Sequence, residues 1–383
     1  MIDPAAMTPY YDIQLTAALR AVGVNVRLLS SRFLYEDVPL SNEYVDPFFF
    51  RPLAPRAAIL RSRPLLRQVS RLAIYPFDLR RLWQAFKKHP PDLLHIQWTW
   101  LPRIDRHVFK RLADRAPCVL TIHDPAPHQQ AWAHVTDMFP LLGLADHVIV
   151  HAEDNRRQLL ERRPSLESRV SVVPHGPLFT EQALLSQEEA RAYLELEPQA
   201  GIILFFGLIK PYKGLVDLIQ AVAEIQSRNP QLRLVIAGQV SGSEKPYVEA
   251  IREHGLQDIT SLHLRFIPSD LVPYYFVASD LVCLPYWQAT QSGVLMAAYR
   301  FGRPVVVTDV GGLPETVEDG GNGYVVPAHN PRSLAQALER LLADPHLRRR
   351  FGERSRELAE TRFGWTNAAR LTQAIYNHLT SQT

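Results

Sequence analysis

Two lysines three residues apart, Lys210 and Lys213, lie in the run FFGLIKPYKG from Phe205 to Gly214. A strand-like segment ends before them at Gly207, and a helix-like segment follows. On one side of such a turn they can hold a phosphate through two charge-assisted contacts of about 1.5–3 kcal/mol each. A second anion-suited spot lies in Leu281–Glu315, where the apolar run LVCLPY is followed by a polar turn and then by GVLMAAYRF. That last segment has helical length and composition, with Gly302 where a C-cap belongs. Where a strand ends and a helix opens, free N–H groups and the helix dipole favour an anion. Thr290, Gln291, Ser292 and Gly293 would line that spot. The next strand-like run, PVVVTD, leads into Gly311-Gly312, where backbone can approach a ligand closely. Singly, these features read equally as solvated lysines and an ordinary turn. Together they outline a diphosphate pocket.

A second group of residues is rich in histidine. His95, Gln97, His123, Asp124, His151 and His175 fall at or near the ends of successive apolar runs, among them LLHIQW (93–98) and CVLTIH (118–123). In parallel sheets, ligands sit beyond the carboxyl ends of the strands. Several such residues there point to a polar cleft, although two or three of them could simply cap neighbouring helices. Tyr10, Tyr11 and Asp12 stand where a first loop would meet its helix, and core or capping roles suit them as well as ligand contact. No Asp-x-Asp pair occurs, and neither HExxH, a Walker loop, G-x-S-x-G nor G-x-G-x-x-G is present.

These residues need a scaffold, and the alternation of strand-like and helix-like segments supplies one. In the first half a stub at Met1–Asp3 is followed by a helix over 10–22, a strand over 24–30 and strands near 93–98, 118–123, 147–151 and 170–173. Helices over 103–115, 129–142 and 153–162 separate the later strands. Residues 179–200 read as a linker with a helix over 187–196. The alternation restarts at Gly201 with strands over 202–207, 232–238, 262–266, 281–286, 304–309 and 323–327. Such alternation predicts an α/β protein of two doubly wound halves, each a parallel sheet covered on both faces. The length of 383 residues agrees with two domains. Met1 is followed by acid and proline, so no secretory leader is expected, and Cys118 and Cys283 inside apolar runs fit a reducing cytoplasm.

The net charge is small but unevenly spread: residues 1–178 carry 23 Lys/Arg and 17 Asp/Glu, and the remainder 19 and 22. Much of the excess sits in 51–88, where ten basic residues face a single acid, Asp78, and interleave with Leu, Ile, Val and Trp. The stretch reads as a solvated helix pair, or as a basic amphipathic surface for an anionic membrane or acceptor. Nucleic acid is not expected, because no recognised binding motif accompanies the charge.

At this point the sequence resembles a known family, the retaining glycosyltransferases of family 4 (glycosyl transferases group 1), with the GT-B fold. The resemblance runs through FFGLIKPYKG, VIAGQ, ASDLVCLPY, GRPVVVTDVGGLPE and GNGYVVP in the second half, and LLHIQW, TIHD and VVPHG in the first. It implies an acceptor-side Rossmann-like domain over 1–178, the linker 179–200, a nucleotide-sugar domain over 201–364, and a C-terminal helix, 365–383, packing back on the first domain. The domains would face one another across a cleft. It implies transfer of a sugar from a nucleotide-diphosphate donor to a glycan or lipid-linked acceptor, with retention. The co-substrate would be the nucleotide sugar, with no cofactor and no metal. Lys210 and Lys213 match the family's diphosphate-binding pair, His123 the histidine near the reacting sugar, Gly311 and Gly312 the donor-side glycines, and Glu315 the glutamate after them. Gly207 and Thr290–Gly293 would complete the donor side, and Tyr10, Tyr11, Gln97 and Trp98 would face the acceptor. One departure stands out: the family's two glutamates eight residues apart fall on Ala289 and Ala297. A sugar-nucleotide epimerase of the same fold, or a non-catalytic nucleotide-sugar binder, is the alternative. The implied location is the cytoplasm, peripherally at the inner face of the membrane.

Overall fold

The computed structural model describes residues 1–32, 43–125, 138–179 and 185–381. Seven strands form the first sheet: β1 (Ile2–Asp3), β2 (Leu28–Ser31), β3 (Val45–Phe49), β4 (Leu94–Ile96), β5 (Cys118–Thr121), β6 (His147–Val150) and β7 (Val170–Val172). Six form the second: β8 (Gly201–Phe206), β9 (Leu232–Ala237), β10 (Thr260–His263), β11 (Leu281–Leu284), β12 (Val305–Thr308) and β13 (Gly323–Val326). The orders are β3-β2-β1-β4-β5-β6-β7 and β10-β9-β8-β11-β12-β13. Every strand pair is parallel. Runs such as IILFF in β8 and VVV in β12 are buried along their length, as strands covered on both faces must be.

The chain falls into two compact units, Met1–Pro174 with Trp365–Thr383, and His175–Gly364. In each sheet the strand order reverses once, at β1/β4 and at β8/β11. Loops leaving neighbouring strands at such a point diverge and leave a crevice at the carboxyl edge. The C-terminal helix, Trp365–Thr380, packs on the first helix, Pro9–Ala21, and Gln373 Nε2 donates to the Val22 carbonyl at 2.8 Å.

Several boundaries differ from the sequence expectations. The second strand starts at Leu28 rather than Val24. Strand β3 was not anticipated: its sequence, VDPFF, holds a proline, which a sheet tolerates at its edge, where β3 lies. The expected helix over 129–142 lies mostly outside the described residues, and Phe139–Leu144 forms a 3-10 turn. Within 179–200 a helix spans Gln187–Tyr193, opened by a capping box of Ser186 and Glu189. Arg191 ties that helix to the second unit by a buried ion pair with Asp280 at 2.9 Å. The basic stretch forms a 3-10 segment, Arg51–Arg56, and two helices, Ala57–Ser62 and Pro64–Lys88.

Candidate active site

In the second unit, β8 and β11 are neighbours, so the lysine loop and the Thr290 loop leave adjacent strands at the same edge. After β8 the chain turns at Gly207, whose φ is +100°. Lys210 is extended, Pro211–Lys213 makes one 3-10 turn, and Gly214 (φ +65°) opens the helix Leu215–Ile225. The two lysines therefore precede the helix rather than sit in its first turn. A side chain at Gly207 would begin 3.0 Å from Val294 Cγ2 and 3.7 Å from Lys213 Nζ. Lys213 and the start of the helix Gly293–Arg300 thus flank one point. Ser292 caps that helix, its hydroxyl accepting from the Leu295 N–H. Lys213 Nζ donates to Tyr286 Oη at 3.1 Å and lies 4.8 Å from that ring's centre. Lys210 Nζ lies 5.8 Å from the Tyr212 ring.

The loops of this edge lock together through backbone. A Cβ on Gly214 would fall 1.8 Å from the Pro285 carbonyl oxygen, and one on Gly311 (φ +54°) would fall 1.7 Å from that of Ala289. The close approach that the sequence assigns to a ligand at Gly311 is thus made by the chain itself. Gly312 N–H donates to the Thr290 carbonyl at 3.2 Å, and Gly312 caps the short helix Leu313–Thr316. Gly293 is covered by Leu178, whose Cδ1 would lie 2.9 Å from an added Cβ. Thr290 and Ser292 are buried, Gln291 half-buried. Glu315 is half-buried, its backbone carbonyl accepting from Arg362 at 3.0 Å. Ala289 and Ala297 are both buried, and both belong to the apolar core on this side of the sheet. Two aromatic neighbours escaped the sequence reading because they look like core residues. Tyr286 holds Lys213, and Trp287 donates from Nε1 to Asp217 at 2.7 Å and stacks on His329.

In the first unit the residues expected on the acceptor side gather around His123. Gln97 is wholly buried, its carboxamide 3.1 Å from His95 Nε2 and 3.2 Å from His123 Nε2. Trp98 is also buried, stacked on the His123 ring at 4.7 Å and 6° and donating to Thr8 Oγ1 at 2.8 Å. Tyr11 meets His123, His151 and Trp365 edge-on. These three side chains touch the His123 ring, and Tyr10 beside them is half-buried. His151 completes the group, with Nε2 3.1 Å from His123 Nδ1 and Nδ1 2.9 Å from the Val173 carbonyl oxygen. Burial lowers His151 to about 4 and holds His95 well below the ordinary imidazole range. Among the described residues no cluster of His, Cys, Asp and Glu is arranged to hold a metal.

Two doubly wound parallel sheets, one with a lysine loop and a helix start at its switch point, define the architecture of GT-B glycosyltransferases. Residues 186–358 match the family model for glycosyl transferases group 1, and residues 12–176 the model for glycosyltransferase family 4. The D-inositol 3-phosphate glycosyltransferase of Streptomyces bingchenggensis is 32% identical over 328 residues, 80% of this chain and 71% of the relative. The sucrose-phosphate synthase structure from Thermosynechococcus elongatus matches at a TM-score of 0.72 and 24% identity, over 97% of this chain and 93% of that one. Anabaena HepE in complex with UDP-glucose matches at 0.72 and 19%, over 99% and 98%. These two structures bear on the fold alone, and it is GT-B. The chain belongs to the group 1 glycosyltransferases of family 4, and it is a glycosyltransferase.

The Gly311 lock makes a direct prediction. Gly311→Ala places a side chain in the left-handed region and against the Ala289 carbonyl, so stability falls by about 2 kcal/mol or more in denaturant titration. A loss below about 0.5 kcal/mol shows instead that the two loops can part freely.

Proposed function

We propose that this chain transfers a hexosyl group from a nucleoside diphosphate sugar to a hydroxyl of a glycan or lipid-linked acceptor, with retention and without a bound metal. The observation that carries the reading is the convergence of Lys213 and the Gly293–Arg300 helix start on Gly207. In the reaction the bond from the anomeric carbon to the diphosphate breaks, and the acceptor oxygen bonds to that carbon on the same face. The acceptor's proton passes to a leaving diphosphate oxygen. Lys210, Lys213 and the N–H groups around Ser292 and Gly293 stabilise the charge that develops there. Gly311, Gly312 and Glu315 belong to the donor side, Gly311 by holding the Thr290 loop in place. With alanines at 289 and 297 in place of the family's glutamates, Thr290 and Gln291 offer the donor sugar neutral groups. HepE was solved with UDP-glucose, so UDP is the first nucleotide to test.

The double substitution Lys210→Ala with Lys213→Ala weakens UDP binding by roughly 3–6 kcal/mol, read by calorimetry, if two charged contacts are lost. Unchanged affinity removes the pocket from this edge. Incubation of the parent chain with UDP-glucose releases UDP. An epimerised nucleotide sugar without UDP release favours the epimerase reading.

We infer further that the acceptor is met at an anionic membrane surface. The helix Pro64–Lys88 is anchored only by its later turns: its buried residues are Tyr75, Asp78, Leu79, Leu82 and Phe86. Leu65, Val69 and Leu72 follow helical spacing on an outward stripe, and with Phe77 they are 78%, 64%, 52% and 72% exposed. The single acid of 51–88, Asp78, is buried, paired with Arg81 at 3.1 Å and accepting from the Phe50 N–H. The outward charge is accordingly basic, from Arg56, Arg63, Arg80, Lys87 and Lys88. Apolar side chains that can enter the headgroup region, ringed by cations, fit an anionic bilayer, where each cation contributes about 1 kcal/mol. Among the described residues no helix is long and apolar enough to cross a membrane. In sedimentation the chain binds phosphatidylcholine vesicles containing phosphatidylglycerol, and Leu65→Ser with Val69→Ser and Leu72→Ser lowers that binding at least about tenfold, each residue giving up about 0.5–1 kcal/mol of burial. No binding, or equal binding to neutral vesicles, overturns the inference.

A further inference from the structure

His123 lies in a run of hydrogen bonds whose protons can be counted. The Val173 carbonyl only accepts, so His151 carries its proton on Nδ1, 2.9 Å away. Buried and lowered to about 4, His151 is neutral at pH 7, and its Nε2 is an acceptor. His123 Nδ1, 3.1 Å from that atom, therefore holds a proton.

The other nitrogen of His123 faces the Gln97 carboxamide at 3.2 Å, and two arrangements satisfy the contacts. With the amide oxygen toward His123, Nε2 must carry a second proton and the ring is cationic. The Gln97 NH2 then donates to His95 Nε2 at 3.1 Å, and His95 Nδ1 donates to Tyr376. With the amide turned by half a rotation, its NH2 donates to a neutral His123 Nε2 and its oxygen accepts from His95 Nε2. Tyr376 then donates to His95 Nδ1. Thr121 Oγ1, 2.7 Å from His95 Nε2, can donate in the first arrangement and accept in the second. With His95 and His151 neutral, the mixed combinations set two lone pairs or two N–H groups against each other.

We propose that Gln97 is a positioning residue whose amide turns over with the protonation of His123, so that the ring gains or loses a proton at Nε2 without moving. The packing around the ring suits such a switch. Trp98 lies parallel to it, offering a π-face that favours the cation, and Tyr11 closes one edge. Among the described residues, the titratable groups near the ring include Tyr11 from the first helix and His151 from the end of β6, with His95 and Tyr376 beyond Gln97 and Asp124 next in the chain. The proton exchanges with solvent, and no other bond changes. The catalytic use of the switch rests on the resemblance that matches His123 to a histidine near the reacting sugar. A ring able to become cationic in place stabilises negative charge that develops beside it.

The test is nitrogen-15 NMR of the histidine rings in the full chain, titrated with pH and assigned by His123→Gln and His151→Gln. In the parent chain His123 keeps its Nδ1 proton throughout, and Nε2 is the atom that titrates. A carboxylate in place of the amide can only accept, so Gln97→Glu raises the His123 midpoint by about one pH unit or more. The pH profile of kcat moves with it, with KM little changed. Gln97→Met, similar in length but with no such hydrogen bonds, leaves Nε2 without this partner and lowers the midpoint. A neutral His123 with its proton on Nε2, or a Gln97→Glu midpoint equal to that of the parent, overturns the proposal. The parent tautomer decides the matter even where a variant does not fold. NMR shifts as expected with an unmoved kcat profile uphold the switch and refute the assignment of His123 to the sugar.

Discussion

The second unit depends on backbone meeting backbone. Three glycines, Gly214, Gly238 and Gly311, sit so close to a carbonyl that an added Cβ would fall within 2 Å of its oxygen. Gly238 meets Gly207, Gly214 meets Pro285, and Gly311 meets Ala289. Each contact joins a loop leaving one strand to a loop leaving its neighbour in the order β9-β8-β11-β12. Four successive loops are thereby held in register at the carboxyl edge without a side chain between them. An anion site made of N–H groups and lysines needs such a frame, because its donors must be aimed before the ligand arrives.

The first unit achieves order by the opposite means. Its corresponding edge is filled with large side chains that satisfy one another: Gln97, His95, Thr121, His123, His151 and Tyr376 form hydrogen bonds inside a wall of Tyr11, Trp98 and Trp365. A buried polar network of this kind is stable only when its members find partners, which makes it sensitive to one proton more or less. The backbone frame carries no titratable group and holds its shape across pH. The side-chain network is where pH enters.

What could be read from the sequence follows this difference. Continuous apolar runs marked strands such as β5, β8, β11 and β12 because strands buried on both faces have no other pattern, whereas the edge strand β10, TSLH, is only partly buried and begins two residues before the run read for it. The lysine pair and the Thr290–Gly293 helix start were legible because both depend on local order along the chain. The edge strand β3 was not, since Pro47 masks its pattern. The partner of Gly311 was not, because it is set by which loops meet in space. Gln97 and Trp98 looked like cleft residues because they follow a strand, but strand position alone does not say which face a side chain takes. There Gln97 lies between His95 and His123, and Trp98 stacks on His123 and donates to Thr8.

The alanines at 289 and 297 change the charge of the donor edge as well as its shape. Two carboxylates there would offset the lysines and accept from sugar hydroxyls. Here Lys213 is hydrogen-bonded to the Tyr286 hydroxyl, and Asp217 accepts from the Trp287 indole. In the proposed reading, a pocket balanced this way would attract a diphosphate more strongly and read sugar hydroxyls with fewer charged acceptors. Hydrogen bonds to charged groups contribute about 1.5–3 kcal/mol, against about 0.5–1.5 for neutral ones. In that reading affinity would shift toward the nucleotide diphosphate common to all donors, and discrimination among sugars would rest on the neutral groups of Thr290 and Gln291 and on the shape that the Ala289–Gly311 contact imposes.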